Sequence, residues 1–262
     1  MWLLLFVALI NFVGGENEEI NVTIKQEILK GKVQKSRNGS KYYAFLSIPY
    51  AKPPIGELRF EPPQEPESWG DDIRDATTSP PMCFQKDIFT NRSWLSNSED
   101  CLYLNVYTSE IGGAGLPVMV YIHGGAFIIG SESQYQPDYI LDKPVVLVIF
   151  NYRLGVFGFL SAADDVISGN FGLKDQVAAL RWVKKNIAAF SGDPNQVTLF
   201  GESAGGTSVD LHLHSPLSTG LFHRAIIQSG SALSYWIRAS SLAVRQKAFA
   251  LGLLIGYVSK TT

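Results

Sequence analysis

The chain has 262 residues, 46% of them apolar, and its 22 basic and 24 acidic side chains leave a formal net charge of −2. That apolar share supports a substantial core and excludes a disordered chain. Charges of both signs are spread along the sequence, so no sustained basic field exists to hold nucleic acid or an anionic membrane surface.

Residues 1–15 open on an apolar run from Trp2 to Ile10 and continue through small residues, with Val13 and Gly15 placed as before a signal-peptidase cut. The run is too short to span a bilayer and has the layout of a secretory signal, although no Lys or Arg precedes it. A buried first strand is the alternative. The expected domain is therefore residues 16–262, in a secreted protein. Three acceptor sequons, beginning at Asn21, Asn38 and Asn91, fit an oxidising compartment and are candidate glycosylation sites. The two cysteines, Cys83 and Cys101, would contribute about 3 kcal/mol if bonded, by the chain-entropy model. Two buried free thiols are the alternative.

No internal repeat, low-complexity tract or Gly/Ser-rich linker interrupts the chain, so one domain is expected. Residues 22–33 alternate apolar and polar around Lys30-Gly31, as a hairpin would. Residues 51–81 are rich in proline, which forbids regular helix or central strand there. From residue 102 the pattern changes. Residues 102–107, 117–122, 145–150 and 196–200 are short, β-branched or aromatic runs that read as strands buried on both faces. Between the last two, residues 176–189 carry Val177, Leu180, Val183 and Ile187 at helical spacing, with Arg181, Lys184 and Lys185 on other faces. Strand, helix, strand in this order implies an α/β fold with a parallel sheet and right-handed crossovers. Residues 224–228 read as a further strand and residues 239–255 as a helix.

The strand ending at Phe200 runs into Gly201-Glu202-Ser203-Ala204-Gly205, a G-x-S-x-G pentapeptide between a strand and an apolar helix. A serine on so sharp a turn needs strained dihedrals, and small flanking residues let the backbones pass. The turn lifts Oγ above the sheet, and the helix N-terminus behind it aims free N–H groups at an oxyanion. Alone, the pattern could be only a tight turn. Upstream, His123-Gly124-Gly125-Ala126-Phe127 follows another strand, and its small residues suit a backbone that approaches substrate closely. By itself this would be a strand-ending turn. Together, the two loops can serve one oxyanion only if the strands preceding Gly124 and Gly201 are parallel neighbours.

With these motifs in view, the sequence resembles the type-B carboxylesterases, which include cholinesterases and insect esterases. Residues 99–107 (EDCLYLNVY) resemble the family's cysteine motif, and residues 190–205 (FSGDPNQVTLFGESAG) its active-serine motif, with Ser191 where the family prefers glycine or arginine. Residues 151–160, 169–176 and 221–230 are also family-like. The resemblance implies an α/β-hydrolase fold, with a mostly parallel central sheet and flanking helices, incomplete on its C-terminal side. It implies a carboxylic-ester hydrolase with Ser203 as nucleophile and Gly125, Ala126 and Ala204 as oxyanion-hole amides. Glu202 matches a carboxylate that supports positive charge in the site. Cys83 and Cys101 match the family's first disulfide, and the pairs Arg59–Glu99 and Arg153–Asp175 its internal ion pairs. Ala126 replaces a glycine common in relatives, a change that keeps a backbone donor.

The resemblance places the triad acid and histidine beyond residue 262, so the chain is expected to be a portion of an esterase with little activity of its own and an exposed apolar sheet edge. His123 belongs to the oxyanion loop, His212 and His214 follow the nucleophile, and His223 precedes a strand. No metal site is expected, because His212 and His214 lack an accompanying Cys, Asp or Glu cluster, and no cofactor is implied. Trp94 sits closer to Cys101 than the choline-binding tryptophan of cholinesterases. A general carboxylesterase acting on small carboxylic esters therefore fits better. A non-catalytic, cholinesterase-like adhesion protein is the alternative function, although such relatives commonly lose the serine that this chain keeps; an interfacial lipase would need a lid that the sequence does not reveal.

Overall fold

The computed structural model describes residues 19–86, 97–113 and 115–257. The expected signal segment, Asn91 and Trp94 lie outside the described residues. The strands are β1 (Glu19–Ile24), β2 (Glu27–Lys35), β3 (Lys41–Pro49), β4 (Ile73–Asp75), β5 (Met82–Cys83), β6 (Asn97–Ser98), β7 (Tyr103–Thr108), β8 (Leu116–Ile122), β9 (Val146–Phe150), β10 (Gly192–Glu202) and β11 (Arg224–Gln228). The helices are α1 (Gly155–Phe159), α2 (Phe171–Asn186), α3 (Ala204–His214) and α4 (Ser241–Leu254).

The main sheet runs β1-β2-β3-β7-β9-β8-β10-β11, with β4 alongside β2. It is mixed, and its two halves differ in kind. β9, β8, β10 and β11 are mutually parallel, whereas β1, β2, β3, β7 and β9 pair antiparallel. All five residues of β9 are buried, as the continuous apolar run requires. The first of the strands expected to lie in a parallel sheet, β7, is antiparallel to both its neighbours. Apolar runs report burial on two faces and carry no information on direction; direction follows the connections, and the helix-free link from β7 to β8 needs no crossover.

The N-terminal hairpin forms, but its turn is at Lys25-Gln26, between β1 and β2, and not at Lys30-Gly31. Gly31 is inside β2, facing Ile20. Its glycine has a packing cause: a Cβ there would come within 2.6 Å of the Phe45 ring. The proline-rich stretch holds a 3₁₀ turn (Gly56–Leu58) and the short strand β4. The crossover helix α2 starts five residues before its expected position, because Gly172 can pack against Phe159 and the Arg153 carbonyl where a Cβ would clash.

Cys83 and Cys101 form a disulfide with Cα atoms 4.9 Å apart. Both expected ion pairs are present. Arg59 holds Glu99 through two hydrogen bonds of 2.5 and 2.7 Å, and buried Arg153 grips Asp175 bidentately at 2.7 and 2.8 Å. Among the described residues no helix is long and apolar enough to cross a membrane. β11 has one partner, β10, among those residues and is largely exposed.

Glu132 is a buried carboxylate that forms no ion pair among the described residues. Its amide bonds Asn151 Oδ1 at 2.9 Å, its Oε2 has no partner, and burial pushes its pKa from 4.5 up to about 7. A carboxyl raised in the folded state is held protonated more tightly there than in the unfolded chain. Its stabilising contribution is therefore complete below the ordinary value of 4.5 and is lost as pH rises to about 7. Glu132→Gln removes this titration, so in the full-length protein the variant gains stability over wild type between about pH 5 and about pH 8. Urea midpoints at the two pH values check this; an identical difference at both would contradict it.

Candidate active site

The pentapeptide is a strand-turn-helix junction between β10 and α3. Ser203 has φ 56° and ψ −118°, a conformation that costs a non-glycine residue about 1–3 kcal/mol and persists only where the surroundings over-determine it. Here its N–H donates to the Gln228 carbonyl at 2.9 Å, and its own carbonyl accepts from Thr207 N at 2.9 Å. The flanking glycines are required by contact. A Cβ on Gly201 would lie 2.6 Å from the Gly205 carbonyl carbon, and one on Gly205 would lie 2.0 Å from the Ile122 carbonyl oxygen.

β8 and β10 are parallel neighbours with Gly201 paired to Ile122, so the His123–Phe127 loop emerges beside the serine turn. The approach is close: a Cβ on Gly124 would meet the Glu202 carbonyl oxygen at 2.8 Å and Ser203 Cβ at 3.2 Å. The loop is itself strained, with φ of 104°, 56° and 61° at Gly125, Ala126 and Phe127. Its shape is held by Ile128 and Ile129 amides donating to the Gly125 carbonyl. Among the described residues the Gly125 and Ala126 amides donate to no loop or turn carbonyl. Ala204, the first residue of α3, has no intrahelical acceptor either. Glu202 is exposed beside them.

None of the four histidines bonds Ser203. His123 is fully buried, stacked 4.3 Å from the Tyr152 ring. Its Nδ1 is 2.8 Å from the Gly124 carbonyl, which can only accept, so the proton is on Nδ1. Its Nε2 has no hydrogen-bond partner, Ser203 included, and burial lowers its pKa to about 4. His212 bonds Gln176 and Ser218, His214 is exposed beside Asp210, and His223 accepts from the Val197 amide. Among the described residues no group of three or more His, Cys, Asp or Glu side chains could hold a metal ion.

Two side chains that brace the His123–Phe127 loop escaped sequence reasoning. Tyr152 Oη donates to the His123 carbonyl at 2.9 Å. Gln85 bonds both the amide and the carbonyl of Gly130 at 2.8 Å, and donates to the Cys83 carbonyl, joining the end of the loop to the disulfide. Nothing in the local pattern around Gln85 marks it. Tyr152 lies in a family-like stretch, which is the one signal that could have found it. Of the candidate glycosylation sites, Asn21 and Asn38 are exposed.

The carboxylesterase-family model matches residues 18–262, and the chain belongs to that family. It is 56% identical over 211 residues to the juvenile hormone esterase of Tribolium castaneum, covering 79% of this chain and 36% of that protein. It is 48% identical over 238 residues to the human cocaine esterase, covering 86% and 42%. The crystal structure of juvenile hormone esterase from Manduca sexta, with OTFP covalently attached, superposes with a TM-score of 0.87 at 36% identity, covering 93% of this chain and 47% of that one. The chain thus spans less than half the length of these relatives.

Proposed function

We propose that the full-length protein is a secreted serine carboxylesterase that hydrolyses uncharged carboxylic esters through an acyl-enzyme on Ser203. The observation that carries this reading is the junction itself: a strained serine at the C-terminal end of a central strand, with a second small-residue loop pressed against it. Ser203 Oγ attacks the ester carbonyl carbon. The Gly125, Ala126 and Ala204 amides receive the oxyanion, the alcohol leaves with a proton, and water repeats the attack on the acyl-enzyme. Glu202 steadies the positive charge on the imidazole that accepts the serine proton. None of the four histidines bonds Ser203, so the base and its carboxylate are supplied by the rest of the full-length protein.

An uncharged substrate is supported by the aromatic side chains next to the oxyanion loop, where Phe127 packs against Phe159 at 5.0 Å and Trp236 at 6.0 Å. The names of the two curated relatives point to esters as well. Secretion is supported by the Cys83–Cys101 bond and by the exposed sequons at Asn21 and Asn38.

The test is to express the full-length protein and residues 16–262 in insect cells and assay both with a chromogenic short-chain ester. The full-length protein is recovered from the medium, loses mass on glycosidase treatment and turns over rapidly. The shorter chain has only the acceleration left by binding and an oxyanion hole, at most about 10³ to 10⁴ over water. Rapid turnover by the shorter chain would show that one of its own histidines serves as the base.

A further inference from the structure

Behind the serine turn runs a chain of buried polar side chains that the proposed chemistry does not use. Gln176 in α2, Ser208 and His212 in α3, and Ser218 in the turn after α3 are each at most 4% exposed. Ser208 Oγ is 2.9 Å from the Ala204 carbonyl oxygen, Gln176 Nε2 is 3.1 Å from Ser208 Oγ, His212 Nε2 is 2.8 Å from Gln176 Oε1, and Ser218 Oγ is 2.8 Å from His212 Nδ1.

One direction of donation satisfies every link. The Ala204 carbonyl can only accept, so Ser208 spends its single proton there and must accept from Gln176. The amide nitrogen of Gln176 therefore faces Ser208 and its oxygen faces His212, which places the imidazole proton on Nε2. Burial lowers the His212 pKa to about 4, so the ring is neutral and its Nδ1 accepts from the Ser218 hydroxyl. No atom of these four side chains is among the buried groups without a partner. A buried polar chain satisfied throughout holds its members in one arrangement.

We infer that His212 and Gln176 are positioning residues for the serine turn. The chain ties the first residue of α3, whose N–H is a proposed oxyanion donor, to the neighbouring helix α2. It thereby helps hold Ser203 at its positive φ. The inference rests on Ser203 being the nucleophile, and it adds two residues that touch neither substrate nor the reacting atoms.

The experiment uses the full-length protein, with active sites counted by stoichiometric titration with a serine-directed organophosphate. His212→Leu removes the donor to Gln176; His212→Gln keeps a nitrogen donor at similar reach. In His212→Leu, kcat per titrated site falls about tenfold or more, phosphylation of Ser203 slows by the same factor, and KM stays within about twofold. His212→Gln recovers most of that loss. A His212→Leu protein with fewer titratable sites or a lower Tm but unchanged kcat per site would overturn the inference, since those are the marks of a packing role. If His212→Leu gives no folded protein, Ser208→Ala, which deletes only the link to Ala204, is judged by the same per-site criterion. A wild-type protein that no organophosphate labels at Ser203 would instead overturn the nucleophile reading beneath it.

Discussion

Ser203→Ala in the full-length protein lowers ester turnover by about 10⁶, the size of loss expected when a nucleophile that works as a unit with its base is removed. Alanine leaves the rest of the turn intact: the Ser203 N–H to the Gln228 carbonyl and the Thr207 N–H to the Ser203 carbonyl are backbone bonds. The variant therefore keeps its fold and its substrate affinity while losing its chemistry. Steady-state assay of purified protein, with urea unfolding to confirm equal stability, reads both. A variant retaining more than about one hundredth of wild-type turnover would mean that another group, or water directly, attacks the ester.

Gly205→Ala destabilises the protein by more than about 4 kcal/mol, at the extreme of what single substitutions do, or prevents folding. The added Cβ would lie 2.0 Å from the Ile122 carbonyl oxygen and 2.9 Å from that of His123. Both are backbone atoms, and Ile122 belongs to a central strand paired on both sides, so neither can move aside as a side chain would. The contrast is Gly252→Ala in α4, where the nearest atom outside the helix is 3.8 Å from the new Cβ. There the same change is tolerated and gains up to about 1 kcal/mol in helix propensity. Chemical denaturation of the two variants side by side distinguishes them. A soluble Gly205→Ala protein as stable as wild type would show that the serine turn is not as tightly packed as the close approach of α3 to β8 requires.

Much of the fold was legible because it is written in short windows. The central strands and the helices α2 and α4 follow from apolar runs and helical spacing, within a few residues at their ends. The serine turn was legible because glycine at 201 and 205 has a steric cause visible in the motif itself. Other glycines mislead for the same reason. Gly31 looks like a turn residue, yet larger side chains are excluded there by Phe45, fourteen positions along the chain on the neighbouring strand β3. The braces of the His123–Phe127 loop were invisible for a related cause. Gln85 and Gly130 are forty-five residues apart, and an isolated glutamine carries no periodicity that would announce its partner.

By itself, then, the sequence determined the class of fold, the position of the serine between strand and helix, and the small residues that any such turn needs, since each depends on local sterics and on patterns a few residues long. Only the tertiary structure decided which strands run antiparallel, where the first hairpin turns, and how the His123–Phe127 loop comes to lie against Ser203. It also decided the state of the two buried histidines: His123 and His212 are neutral, with protons on opposite ring nitrogens. Their carbonyl and amide partners are brought to them by packing, and burial then makes any other arrangement costly.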